Sequence, residues 1–131
     1  MVDLLITLTQ HEADSNNVTI AFTMGNEALA KGYSAEIILL SNAVALAQKS
    51  YDDKIDIGAP SSGKRVEITP FKPLNELLPA FIKAGGKLKV CKACMIHNGV
   101  KEEDLISESI IITAPDVIDL LMESKKSLQL N

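Results

Sequence analysis

A chain of 131 residues, 47% hydrophobic and 23% charged, is the size of one domain and can fill a core without disulfide staples. A net charge of -4, a pI near 5.1, no tryptophan and 4% aromatic residues argue against the basic face and stacking platforms that nucleic-acid binders need. The longest apolar runs, such as Ile37 to Leu40 and Ile110 to Ile112, fall far short of the roughly 20 residues that span a bilayer. The first residues carry no basic leader followed by a small-residue cleavage site, so a cytoplasmic location is expected, with neither membrane nor nucleic acid as a partner.

In chain order, Val2 to Leu8 is apolar on both alternating faces, as in a strand covered on two sides, and predicts a first strand. A polar loop through His11, Asp14 and Ser15 follows. Val18, Ala21, Phe22, Ala28 and Leu29 then keep helical spacing up to Gly32, which suits a C-terminal cap. Ala35 to Leu40 predicts a second strand. Asn42 is placed to cap a short helix carrying Val44, Ala45, Leu46 and Ala47. From Ser50 to Thr69 the chain is polar and broken by Gly58, Pro60 and Gly63, and reads as a long mobile loop. Pro73 suits the first turn of a helix through Leu74, Leu77, Leu78, Phe81 and Ile82, which Pro79 is expected to kink or shorten and Gly85-Gly86 to end. Leu88 to Cys91 and Ser109 to Thr113 predict two more strands. Pro115 opens a helix bearing Val117, Ile118, Leu120 and Leu121, and Ser127 to Asn131 suits an edge strand. Strands alternating with helices imply one α/β domain over residues 1–131, with a mostly parallel sheet and right-handed crossovers.

The chemistry concentrates at Cys91, where a strand ends on the sheet edge at which open α/β folds gather ligands. If a short helix follows over Ala93 to Asn98, its first N–H groups and Lys92 favour the thiolate, which is the nucleophile. The plain alternative is a small apolar filler, because free cysteine is among the most buried residue types. Cys94 completes a C-x-x-C pair, open to disulfide exchange, sulfur transfer or half of a metal site. A thioredoxin-type pair follows an early strand and precedes a long helix, whereas this one is late and Gly99 stops its helix. Structural zinc needs four ligands, yet only His97 is near, with His11 in a separate loop; haem attachment needs histidine where Met95 stands. No metal or cofactor is expected. Gly58-Ala59-Pro60-Ser61-Ser62-Gly63-Lys64 imitates a phosphate loop, but Arg65 replaces the magnesium-binding hydroxyl and extended chain to Pro70 replaces the helix. Lys83, Lys87, Lys89 and Lys92 precede or surround Cys91, and Glu102, Glu103 and Asp104 follow it. Solvated faces explain both runs, and an anion-attracting patch beside the thiol is the functional alternative.

The segment Val90-Cys91-Lys92-Ala93-Cys94-Met95-Ile96-His97-Asn98-Gly99-Val100-Lys101-Glu102-Glu103-Asp104-Leu105 resembles the DsrE/DsrF-like family, which includes sulfur-relay proteins. The resemblance runs through the first strand and helix, Phe71-Lys72-Pro73-Leu74, and the double glycine before the cysteine strand. It implies a flavodoxin-like three-layer sandwich with a mostly parallel five-stranded sheet that assembles into homo- or hetero-oligomers, and with 47% hydrophobic residues on one short sheet a homo-oligomer, a trimer or hexamer, is expected. It also implies a cysteine that accepts sulfane sulfur as a persulfide and passes it from a donor to an acceptor protein. Cys91 matches the accepting position and Cys94 a second cysteine found in some members, with Lys92, His97 and Asn98 as auxiliary residues. Sulfur-relay members tend to carry arginine before the glycine, where this chain has His97-Asn98. The competing classes are a non-catalytic oligomeric scaffold with buried cysteines and a C-x-x-C redox domain.

Overall fold

The computed structural model describes residues 1–10, 16–50 and 72–131. The expectations for His11, for the Ser50 to Thr69 loop and for the Gly58 to Lys64 imitation of a phosphate loop lie outside those residues, save Ser50 itself. The strands are β1 (Leu4–Leu8), β2 (Ala35–Leu39), β3 (Lys87–Cys91), β4 (Ile110–Ile112) and β5 (Lys126–Leu130), and the helices α1 (Asn16–Ala30), α2 (Leu74–Lys83), α3 (Lys92–His97) and α4 (Ala114–Glu123). The five strands form one sheet in the order β4-β3-β2-β1-β5, and every neighbouring pair is parallel.

Period-two alternation divides the sheet's side chains between two cores. Ile6, Leu8, Ile37, Leu39, Leu88 and Val90 pack with α1, α2, α3 and the segment after β2 in the larger one. Leu5, Ile38 and Ile112 pack with Val117 of α4 in the smaller. The two faces give the three-layer sandwich, but coverage is unequal, because α4 is alone on its side among the described helices. Ile118 and Met122 of α4 and Ile110 of β4 stay exposed there.

Helix ends follow their sequence signals where a backbone conformation demands a particular residue. Gly32 and Gly85 close α1 and α2 at φ +88° and +100°, a region that costs other residues strain. Thr113 precedes α4, and both its N–H and its Oγ1–H donate to Asp116 Oδ2 at 2.9 Å. Two expectations are corrected. The segment Ser41–Ala47 is a 3₁₀ helix whose cap is Leu40, so Asn42 lies inside it, with Oδ1 buried and unpartnered, rather than capping it. Pro79 does not shorten α2, which continues to Lys83. Its missing N–H costs only the bond to Asn75 in the first turn of the helix.

At the amino ends of the strands, Asp3 acts as a tie. Its Oδ2 accepts from the Ser34 N–H at 2.9 Å and the Ser34 hydroxyl at 3.2 Å, and Lys125 lies 3.0 Å from its Oδ1. The Ser34 N–H, followed by Lys125, holds the Asp3 carboxyl below its ordinary value. β1, β2 and the start of β5 are thus pinned opposite the end that carries the cysteines.

Phe81 of α2 is fully buried, meeting Phe22 of α1 edge-on with ring centroids 6.0 Å apart. It fits because two neighbours lack side chains. A Cβ on Gly25 would come within 2.7 Å of the ring, and one on Gly86 would crowd three of its carbons. Gly86→Ala is expected to cost about 1–3 kcal/mol through overpacking, read as a lower urea midpoint with an unchanged m-value.

Candidate functional site

β3 delivers Cys91 to the carboxyl edge of the sheet, with the neighbouring Val90 held in the larger core. Cys91 is the residue just before α3, in extended conformation and with no side-chain capping bond. It is 6% exposed, so it sits at the rim of the core rather than in an open cleft. A cavity of about 400 Å³ lies along α3, lined by Lys92, Met95, Ile96, Gly99, Val100, Lys101, Glu102 and Ile111, and Cys91 is not in its wall. Four residues after Cys91, the buried Met95 anchors α3 to the larger core, with Cys94 packed at its margin. Both thiols are free, and Cys94 is the more accessible.

The turn after β2 completes the site. Ser41 has φ +53°, the only positive φ on a non-glycine residue among the described residues. Asn98, just past α3, donates from Nδ2 to the Cys94 carbonyl at 2.8 Å and to the Ser41 carbonyl at 3.2 Å. The side chain therefore ties the two turns together. Burial pushes the Cys94 thiol up from its ordinary value, and its hydrogen bond to Cys91 and the charge there push the same way. The Ser41 N–H opposes them.

Of the five candidate residues, then, Cys91, Cys94 and Asn98 come together, while Lys92 and His97 stay exposed on α3. The His97 side chain makes no hydrogen bond or ion pair among the described residues. Nor do the lysines form one patch beside the thiol. Lys89 pairs with Glu36 across β2 and β3, both side chains mostly buried, and Lys83 lines a different cavity from Lys92. No group of three or more His, Cys, Asp or Glu able to hold a metal occurs among the described residues. Sequence reasoning missed Ser41. A Ser-Asn pair after an apolar strand marks a turn, but residue type alone does not reveal a left-handed conformation.

The raised value means that the folded state holds the Cys94 proton more tightly than the unfolded chain does. The resulting stability is complete below the ordinary thiol value and is lost as pH rises through the raised one. Cys91→Ser removes the neighbouring charge, so Cys94 should ionise at lower pH in that variant. Thiolate absorbance followed against pH in the two proteins checks this, and an unmoved midpoint would show that burial alone raises it.

The sequence matches the DsrE/DsrF-like family over residues 3–130. An uncharacterized protein of Methanocaldococcus jannaschii is 35% identical over 99 residues, covering 74% of this chain and 72% of that one. Among solved structures, the ychN protein of E. coli superposes with a TM-score of 0.74 at 16% identity, covering 98% of this chain and 99% of that one. A protein of unknown function from Methanobacterium thermoautotrophicum superposes with a TM-score of 0.71 at 8% identity and the same coverage. The structural likenesses carry the fold, and the sequence match carries the membership: this chain belongs to the DsrE/DsrF-like family.

Proposed function

We propose that this chain is a cytoplasmic sulfur carrier of the sulfurtransferase type. Cys91 attacks a donor's persulfide, holds the sulfane sulfur, and yields it to an acceptor protein with the help of Cys94. The observation that carries this reading is the pair of free thiols at the carboxyl end of β3 and the start of α3, one buried and the other more accessible. Exchange between sulfurs needs a thiolate attacker and an accessible partner, and a buried thiol beside a half-exposed one separates storage from delivery. Family membership supports a sulfur-relay connection. No helix among the described residues is long and apolar enough to cross a membrane, which is compatible with the compartment.

Assembly into a trimer or hexamer belongs to the same reading. The apolar residues exposed on the side of the sheet that α4 covers alone, Ile110, Ile118 and Met122, are what a second copy would bury. Light scattering at low micromolar concentration is expected to give three or six times the 14.1 kDa chain mass. A mass of one chain defeats the oligomer.

A second reading is favoured by one observation, the 6% exposure of Cys91, which suits a non-catalytic oligomeric scaffold with inert cysteines. Mass spectrometry after incubation with glutathione persulfide separates the two. The carrier gains one sulfur atom per chain, and Cys91→Ser abolishes the gain. A scaffold stays unmodified.

A further inference from the structure

Asn98 is the one asparagine of the sequence that a glycine follows. The side-chain carbonyl carbon of an asparagine is open to attack by the backbone nitrogen of the next residue, and glycine, having no side chain, hinders that attack least. The place in the fold favours it further. Every residue from Ile96 to Gly99 is exposed, at the end of a helix only six residues long. The Gly99 N–H donates to the Ile96 carbonyl at 3.3 Å, long for such a bond. An exposed helix end held this way opens far more readily than the core beneath it.

The same side chain is a structural tie. Its Nδ2 donates to the Cys94 carbonyl at 2.8 Å and to the Ser41 carbonyl at 3.2 Å, joining α3 to the turn after β2. While the tie holds, the reaction is blocked. At ψ 6° the Gly99 nitrogen points away from the Asn98 side chain. Ring closure requires the Cα–C bond of Asn98 to rotate until that nitrogen lies over Cβ, which breaks the Gly99 to Ile96 bond and pulls the amide off its two acceptors.

We propose that Asn98 and Gly99 form a site of spontaneous deamidation, gated by opening of the last turn of α3, and that the reaction severs α3 from the turn after β2. It is independent of the carrier reading, since neither thiol takes part. The Gly99 nitrogen attacks Cγ of Asn98. A carbon–nitrogen bond forms there, the Cγ–Nδ2 bond breaks, and Nδ2 leaves as ammonia with the proton that Gly99 gives up. Water then opens the succinimide at either carbonyl, leaving an aspartate or an isoaspartate. One water is consumed, one ammonia is released, and nothing is oxidised or reduced. The new carboxylate has no hydrogen to donate, and it turns a negative charge toward two carbonyl oxygens that had been accepting. The isoaspartate form also lengthens the main chain inside the turn that the Val100 N–H closes onto the Met95 carbonyl at 2.9 Å.

The modification is tested on the unmutated chain, aged in buffer and, in parallel, unfolded in guanidinium chloride. Trypsin then releases Ala93 to Lys101, a peptide with Asn98 as its one asparagine, and mass spectrometry follows the amide becoming an acid. Conversion in the folded protein is expected to be slower than in the unfolded one by roughly ten- to hundredfold, the scale of a local opening. Equal rates in the two states overturn the gate. Protection of roughly a thousandfold or more, the scale of global unfolding, overturns the site in the folded protein. Asn98→Gln, whose longer side chain does not close that ring readily, is expected to stay unconverted. For the consequence, Asn98→Asp should lower the guanidinium midpoint at an unchanged m-value and speed amide hydrogen exchange from Ile96 to Val100. If that variant does not fold, the deamidated fraction of aged protein, separated by anion exchange, gives the same comparison. A midpoint and an exchange rate both unmoved overturn the severed tie.

Discussion

The seating of Phe81 governs the rest of the molecule. A ring of that size, fully buried and set edge-on to Phe22, fixes how closely α2 approaches α1. It does so only because Gly25 and Gly86 present bare backbone to it. Gly86 immediately precedes β3. The contact that spaces the two helices therefore also sets where β3 begins, and five residues later where Cys91 ends it. A rigid strand fixed at its start carries that precision to its end, which is how a packing contact on one side of the core positions a thiol at the rim.

The uneven clothing of the sheet matters in a different way. On one face α1, α2, α3 and the Ser41–Ala47 segment bury a continuous core, while on the other α4 covers a smaller cluster and leaves Ile118 and Met122 to solvent. Crossover handedness dictates this. β1 to β4 step in one direction across the sheet, which keeps α1, α2 and α3 on a single side, and α4, between β4 and β5, lies over the other. The mostly buried Lys89–Glu36 pair links β2 to β3 within this topology, with its charges neutralising each other.

Much of the fold could be read in the sequence because its signals are local. Apolar runs of strand length, helical spacing at Leu74, Leu77, Leu78 and Phe81, and glycines at helix ends each act within a few residues. For the segment after β2 the sequence predicts a short helix but not its type, since seven residues rich in alanine satisfy an α-helix and a 3₁₀ helix alike and packing decides between them. Pro79 leaves α2 intact because its cost falls on a carbonyl so near the helix start. At the site, Cys91 and Cys94 were visible as a spaced pair, but their division into a buried and an accessible thiol was not. That division depends on where β3 stops relative to the core. Ser41 stayed hidden for a related reason: what marks it is a backbone angle and a carbonyl bonded by Asn98, fifty-seven residues away along the chain.

The pairing of β1 with β5 has a consequence for how the protein is made. β1 lies inside the sheet, between β2 and β5, yet its two partners are separated by most of the chain. On the ribosome, β1 to β4 emerge in spatial order and each new strand finds its neighbour waiting. The far side of β1 meanwhile remains an open row of hydrogen-bonding groups until Lys126 to Leu130 leave the exit tunnel. An unpaired strand flanked by apolar side chains is a template for intermolecular pairing, so the nascent chain is most prone to association just before its last strand arrives.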